Sequence, residues 1–343
     1  MGEDSTLLAQ ILTEELVRPA PGEALTLAAE IRRRHGAAVA AILFYGSCLR
    51  TQRTEGGVLD FYVLVDSYRA AYSSRALAWL NTLLPPNVFY LEVKSGAQTL
   101  RAKYAVVATA DFAYAASPRS LHSSVWARFC QPTLLVYARD ESARTAVIHA
   151  VVRAVLTMIA RIVALLPASG DSVRFQPRDL WQHGFAETYR AELRPERVET
   201  IRGIYEADPG RYDRVAFAAL HELEREGLLQ MCGQGPQPSG EMTPQQLATG
   251  NWQLATDWGV TMTAQQRRQA RLGWRLRRPL MKGLYVLRLV KSAATFGDWL
   301  PYVLWKLERH TGVRIEASER QRKHPILCGW PIILRFLWRR ALR

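Results

Sequence analysis

The sequence predicts an α+β protein, with a sheet in the first third of the chain and helices dominating the remainder. Apolar runs rich in β-branched and aromatic residues occur at 37–45, 58–66 and 87–93, with a fourth candidate at 102–109. Runs of this length between Gly, Pro and Asn are typical of strands. From about Ala110 the apolar residues recur with helical spacing. Because 343 residues exceed the size of most single cores, we expect more than one domain.

Helices are predicted around and after these strands. The segments 5–17 and 23–35 have helical spacing and are separated by a break of Pro and Gly. The segment 67–84 is helical and ends before two prolines. Two further amphipathic segments, 193–208 and 213–232, predict helices in the second half of the chain.

The most apolar stretch, 146–167, contains His149, Arg153 and Arg161. A long amphipathic or buried helix explains this composition better than a membrane span, so no transmembrane helix is expected. The segment 233–251 is rich in Gly, Pro and Gln, which predicts an exposed loop or linker. We therefore expect three parts in order.

The predicted parts are a sheet domain at 1–125, a helical domain at 126–250 and a basic amphipathic helical region at 251–343.

The net charge of +14 and the pI near 10.0 predict an anionic partner, which would be a nucleotide, a nucleic acid or an acidic lipid surface. The four cysteines lie far apart and the histidines show no ligand spacing. Neither a zinc site nor a disulfide framework is expected.

Two C-terminal segments, 267–291 and 320–343, interleave basic residues with Leu, Ile, Phe and Trp. Such a pattern favours binding to an anionic membrane surface, with cations on the headgroups and aromatic residues at the boundary. Nucleic acid would use similar charge but would not need the apolar face, so it is the less favoured partner. A helix packed into the core with a basic rim is a third alternative.

Gly46 and Ser47 end the first predicted strand, and Asp60 lies inside the second. Gly46 would let a phosphate approach the backbone closely, and Ser47 would offer a hydroxyl and an N–H donor. A carboxylate within an apolar strand needs a partner. Mg²⁺ is the usual one, since it takes one or two carboxylates and completes its shell with phosphate oxygens and water. The pattern predicts a site for a nucleoside triphosphate with Mg²⁺.

This pattern resembles the nucleotidyltransferase superfamily of the DNA polymerase β type, which implies a mixed sheet in the first domain. Where that superfamily has a second acid, two positions after the first, this chain has Tyr62. Asp66 shares a strand face with Asp60 but lies roughly 20 Å away at ~3.3 Å per residue. Glu92 and Asp111 are therefore the candidates for a second metal ligand.

In finer detail the chain resembles the mitochondrial-type phosphatidate cytidylyltransferase family, also called the translocator-maintenance protein family. The resemblance covers about 40–310, with Cys48 where that family has Gly and Gln131 where it has Lys. The motifs, in order, are FYGSCLRTQ, LDFYVLVDS, RALAWLNTLLPPNVFYLEV, AKYAVV, DFAYAAS, VWARFCQP, FAETYRAELRPERVETI and KGLYVLRLVKS…YVLWKL.

The resemblance implies transfer of CMP from CTP to phosphatidic acid, giving CDP-diacylglycerol and pyrophosphate with Mg²⁺ as cofactor. It also implies a cytoplasmic protein bound peripherally to the inner face of the cell membrane. The implied catalytic groups are Asp60, Lys103 and Arg128, the nucleotide-binding residues are Gly46, Ser47, Tyr104 and Arg190, and the metal ligands are Asp60, Glu92 and Asp111. Two alternatives stay open, namely a nucleotidyltransferase acting on a soluble or RNA acceptor and a catalytically inactive nucleotide-binding relative.

Overall fold

The computed structural model describes residues 6–96, 98–192, 198–232 and 258–295. A five-stranded mixed sheet in the order β3-β4-β2-β1-β5 forms its centre, with β2 and β4 parallel and the other neighbours antiparallel. Its strands are β1 (Val39–Tyr45), β2 (Val58–Val65), β3 (Asn87–Ser95), β4 (Gln98–Ala108) and β5 (Thr133–Ala138). A smaller antiparallel sheet has the order β6-β8-β7, formed by β6 (Ser172–Phe175), β7 (Gln230–Met231) and β8 (Trp258–Thr261).

Helices cover both faces of the larger sheet and account for most of the second half of the chain. The first group is α1 (Leu7–Leu16), α2 (Gly22–His35), α3 (Ser47–Thr51), α4 (Tyr68–Ala71), α5 (Arg75–Leu83), α6 (Thr109–Ala116) and α7 (Trp126–Phe129). The second group is α8 (Glu141–Val163), α9 (Pro177–Ala191), α10 (Val198–Glu206), α11 (Pro209–Arg225) and α12 (Ala264–Thr295).

The central strand β2 shows how the sequence divides the core into two layers. Phe61 and Val63 belong to a cluster with residues of α2, α4 and α5 on one face of the sheet. Tyr62 and Leu64 point to the other face and pack against α1, α6, α7 and α8. Alternation along the strand buries both sets, because each face of the sheet is covered by helices. Asp60 lies on the same face as Tyr62.

The long helix α8 packs in the second of these layers. Val151, Val155 and Ile159 are all at most 1% exposed. By length and composition alone, α8 would suffice to cross a membrane, yet 61% of its most apolar window is buried inside the protein. Its interior position confirms the interpretation of this segment as a buried helix.

Most predicted elements of the first domain are present. The helices at 5–17 and 23–35 correspond to α1 and α2. The single helix expected at 67–84 is instead two, α4 and α5, because Ser67 and Ser74 each cap a helix N-terminus with a side-chain oxygen.

Helices dominate beyond residue 110, as predicted, but this part of the chain also contains strands that were not predicted. Strand β5 comes from the predicted helical part yet joins the first sheet beside β1. The smaller sheet was not predicted at all. The expected loop at 233–251, the start of the helix at 193–208 and the basic segment at 320–343 lie outside the described residues.

Candidate active site

The loop between β1 and α3 brings the backbone of Gly46 against the side chain of Asp60. Gly46 has φ +94° and ψ −163°, a conformation that glycine adopts readily and other residues rarely do. A Cβ atom at this position would lie 2.9 Å from Asp60 Oδ2 and 3.3 Å from Asp60 Cβ. The Gly46 backbone and the Asp60 carboxylate are therefore in direct contact.

Asp60 lies in a row of side chains that crosses one face of the sheet. Its register partners are Tyr45 on β1 and Lys103 on β4, so the three side chains share that face. Tyr90 on β3 continues the row beyond Lys103. Two of the three predicted catalytic residues, Asp60 and Lys103, are thereby adjacent.

A cavity of about 250 Å³ adjoins this row, between the sheet and the helical part of the protein. Because Tyr45 and Lys103 both line it, Asp60 between them lies at its edge. The sheet and the segment before β3 contribute Tyr45, Phe61, Tyr62, Pro86, Val88, Lys103 and Ala105, and the helical side contributes Ser124, Arg128, Glu192, Tyr285, Arg288 and Ser292.

Arg128 on α7 lies on the helical side of this cavity. Its Nη1 donates to the Ser124 carbonyl oxygen at 2.7 Å, and its Nη2 lies 3.4 Å from Glu192 Oε2. Burial opposes the guanidinium charge, but the Glu192 carboxylate together with Tyr62, Tyr45 and Tyr189 outweighs it, so the pKa of Arg128 stays above its ordinary value. Glu192 also accepts a hydrogen bond from Ser123 at 3.1 Å. Arg128 and Lys103 thus line one cavity, and Asp60 is the neighbour of Lys103 in the sheet.

Arg288 on α12 is a second guanidinium at the same cavity, and sequence reasoning did not single it out. Its Nη2 lies 3.1 Å from His122 Nε2 and its Nη1 donates to Ser124 Oγ at 3.4 Å. Burial, together with the charges of Arg288 and Arg128, lowers the pKa of His122 to about 3. The imidazole is therefore neutral near pH 7.

The two other predicted metal ligands do not join Asp60. Glu92 accepts hydrogen bonds from Tyr90 at 2.7 Å and Arg101 at 3.1 Å, on a strand two positions away from β2. Asp111 begins α6 beyond the opposite end of β4, where its Oδ2 accepts from Tyr68 at 2.5 Å. In the part of the chain that the structure describes, no group of three or more His, Cys, Asp and Glu side chains is placed to hold a metal ion.

The residues at this site fit Mg²⁺ that is bound to a triphosphate. A single carboxylate, Asp60, is too little for a resident ion, but it is compatible with Mg²⁺ that arrives already bound to a triphosphate. Asp60 is the residue that would hold it.

The predicted nucleotide-binding residues are divided between this site and other places. Ser47 is exposed at the first position of α3, next to Gly46. Tyr104 points to the opposite face of the sheet, where its ring stacks on Phe89 with centroids 5.4 Å apart. Arg190 is 64% exposed on α9 and pairs with Glu187 at 2.7 Å. Neither Tyr104 nor Arg190 lines the cavity.

The two departures from the family motif have clear structural roles. The Cys48 side chain is buried over Gly57, where a Cβ atom would meet its sulfur at 2.8 Å. Gln131 accepts a hydrogen bond from Arg50 Nη1 at 3.2 Å and donates to the Ala127 carbonyl at 3.0 Å, joining α3 to α7. Both side chains therefore fix the elements around the Gly46 loop.

Comparison with protein-family models finds no match, so it does not support membership of the phosphatidate cytidylyltransferase family. Comparison with curated proteins finds none either. Among solved structures, the chain is similar to a nucleotidyltransferase-like protein from Exiguobacterium sibiricum 255-15, at 12% identity over 94% of this chain and 92% of that chain, with a TM-score of 0.25. This TM-score is too low to establish a shared fold.

Proposed function

We propose that the protein transfers CMP from CTP to phosphatidic acid at a membrane surface, giving CDP-diacylglycerol and pyrophosphate. The observation that carries nucleotidyl transfer is the contact between the Asp60 carboxylate and the Gly46 backbone, at the edge of a cavity lined by Lys103, Arg128 and Arg288. The choice of CTP and phosphatidic acid comes from the motif resemblance.

The reaction requires positioning and charge neutralisation more than covalent help. An oxygen of the acceptor phosphate forms a bond to the α-phosphorus of CTP. The bond from that phosphorus to the bridging α–β oxygen breaks, and pyrophosphate leaves with the electron pair. A proton still carried by the acceptor phosphate passes to solvent.

The residues of the site have separate tasks in this scheme. Gly46 and Ser47 would bind the β and γ phosphates through close backbone approach and N–H donors. Asp60 would hold the Mg²⁺ that accompanies the triphosphate, which when bound offsets its negative charge. Lys103 would attract the phosphates from the exposed end of the cavity, and Arg128 would neutralise charge deeper inside it.

Assay of the purified protein with Mg²⁺, phosphatidic acid in mixed micelles and each labelled nucleoside triphosphate tests this function. We expect lipid-soluble label with CTP, and loss of at least about 100-fold of that activity in Asp60→Asn, since one preorganised electrostatic contact contributes on that order. Asp66→Asn is the matched control, because Asp66 follows the same strand and its carboxylate pairs with Arg139 at 2.6 Å, away from the cavity. Absence of lipid product with every nucleotide would refute the function.

The exposed face of α12 supports a membrane-bound acceptor. Leu272, Leu276, Leu280 and Leu287 are 54 to 61% exposed and fall on one side of the helix. The exposed residues Arg268, Arg275 and Lys282 repeat every seven positions along one edge of that stripe. An apolar stripe beside a row of cations suits an anionic bilayer surface. Attachment to the inner face of the cell membrane stays a prediction.

Vesicle co-sedimentation of Leu276→Ser tests the docking surface, with Leu83→Ser on α5 as a control of equal chemistry and 66% exposure. Burial of one Leu contributes about 1.5–3 kcal/mol, so we expect the first change to weaken binding to phosphatidylserine-containing vesicles roughly 10-fold or more and the second to leave it unchanged. Equal binding by both variants would argue against this surface.

A second candidate, a nucleotide-binding protein without transferase activity, is favoured because Asp60 belongs to no metal-binding cluster among the described residues. It predicts Mg²⁺-dependent CTP binding that Asp60→Asn weakens, with no transfer to phosphatidic acid or to a soluble or RNA acceptor. Equilibrium binding of labelled CTP, measured beside the transfer assay, separates the two candidates.

A further inference from the structure

Among the described residues, the helical side of the cavity presents two guanidinium groups, Arg128 and Arg288, and one carboxylate, Glu192. Arg128 has Glu192 as its carboxylate partner at 3.4 Å. Within the described residues, no carboxylate lies within salt-bridge distance of Arg288, and its buried Nε has no hydrogen-bond partner. Burial and the neighbouring Arg128 charge lower the pKa of Arg288, and Tyr62 and the Glu192 carboxylate that it shares with Arg128 offset this only in part. An anion in the cavity would supply the missing partner.

The neighbours of Arg288 hold it in place without neutralising it. Since His122 is neutral and its Nε2 faces the guanidinium, we assign the imidazole proton to Nδ1, which then donates to Ser124 Oγ at 3.0 Å. Ser124 Oγ also accepts from Arg288 Nη1. The hydroxyl hydrogen of Ser124 is thereby left for an acceptor in the cavity, which Ser124 lines.

The other walls limit the size and the character of the occupant. Val88, Ala105 and Pro86 form an apolar side opposite the arginines. At about 250 Å³ the cavity has the volume of roughly eight water molecules at ~30 Å³ each. That volume accommodates a phosphate and the first carbons of its ester.

We propose that this cavity is a binding site for a phosphate monoester, whose phosphate is held by Arg288, Arg128 and the Ser124 hydroxyl while its ester carbons lie against Val88 and Ala105. The guanidinium fork suits phosphate oxygens, which accept two parallel hydrogen bonds from one arginine. The identification of this monoester as the acceptor in CMP transfer rests on the proposed function. The monoester is either the headgroup of a phosphatidate or a soluble sugar or glycerol phosphate, since these share the same chemistry.

Calorimetric titration of the full chain without nucleotide tests the site, using glycerol 3-phosphate, water-soluble dihexanoyl phosphatidic acid and inorganic phosphate as three probes. We expect Arg288→Gln to weaken monoester binding roughly 10- to 100-fold, the effect of losing a charged hydrogen-bond donor. Arg271→Gln is the matched control, because Arg271 lies on the same helix with an exposed side chain that does not line the cavity. Arg288→Lys keeps the charge but not the fork, so we expect an intermediate loss.

The outcomes distinguish failure of the site from failure of the proposed function. Equal affinity in wild type, Arg288→Gln and Arg288→Lys, or no binding of any probe at millimolar concentration, would overturn it. Preference for dihexanoyl phosphatidic acid over glycerol 3-phosphate identifies a lipid monoester, and equal affinity identifies a soluble one. Binding that depends on Arg288 without CMP transfer leaves the site standing and refutes the proposed function. If Arg288→Gln still transfers CMP with an unchanged KM for the acceptor, the proposed function stands and the site is refuted.

Discussion

The contact between Gly46 and Asp60 makes a sharp prediction for the Gly46→Ala variant. Alanine at this position must adopt a backbone conformation that L residues rarely take, with φ +94°. Its Cβ would also lie 2.9 Å from Asp60 Oδ2, closer than real carbon–oxygen contacts allow. The carboxylate must therefore move, and we expect both the stability and the transferase activity to fall.

Backbone strain and the close contact with Asp60 both contribute to the loss of stability. A substitution at a second glycine, Gly36, measures the strain without the contact. Gly36 ends α2 with φ +60° and ψ −144°, a similar conformation, but a Cβ there would meet no atom within 4 Å. Gly36→Ala should therefore cost only the backbone strain, about 1–3 kcal/mol. Gly46→Ala should cost that strain plus a coupling with Asp60 of about 0.5–3 kcal/mol.

Urea unfolding of Gly46→Ala, Asp60→Ala and the double variant measures this coupling directly. Gly46→Ala should lower the free energy of unfolding more than Gly36→Ala does. Removal of the Asp60 carboxylate should abolish this difference. The reasoning is wrong if Gly46→Ala costs no more than Gly36→Ala, or if the two changes at 46 and 60 are additive.

Two further predictions concern stability. Glu15 and Arg211 form a buried pair at 2.7 Å, so Glu15→Gln should destabilise the protein by about 3–5 kcal/mol in urea unfolding, since it leaves Arg211 charged and buried. Glu30→Gln, which breaks an exposed pair, should cost less than about 1 kcal/mol, and similar losses for both changes would contradict the argument. Because His122 takes up a proton near its ordinary pKa of 6.5 when unfolded but near 3 when folded, wild type should lose stability faster than His122→Gln as the pH falls from 6.5 to 4. Parallel stability curves for these two proteins would exclude a buried neutral His122.

The strands that carry the site are predictable because their signals are local. Apolar runs on either side of Gly46 give β1 and β2, and the spacing to Asp60 predicts their contact. The fifth strand, β5, was missed because its six residues follow a segment of helical spacing and only its pairing with β1 distinguishes it.

Because side chains alternate between the two faces of a sheet, strand alternation could have removed one wrong residue from the predicted site. Lys103 and Tyr104 are neighbours on β4, so they must point to opposite faces of the sheet, and only one of them can share the face of Asp60. The same rule places Glu92 on that face, but its pairing with Arg101 depends on the register of β3 with β4, which the sequence does not reveal.

Arg288 could not be found from the sequence. It is one of many arginines in a basic segment, and nothing in its immediate neighbours distinguishes it from Arg275 or Arg278. Its importance arises from the packing of α12 against the loop that carries His122 and Ser124, a contact between residues more than 160 positions apart.

The two sides of the cavity lie far apart along the chain, so they are synthesised at different times. Strands β1 to β4 have been synthesised once residue 108 is reached, whereas α12 is complete only at residue 295. At ~5–20 residues per second, translation separates these events by roughly 10–40 s. Until residue 288 is made, the emerging chain holds Gly46 and Asp60 but lacks Arg288, so the proposed monoester site can form only after the contact between Gly46 and Asp60 can.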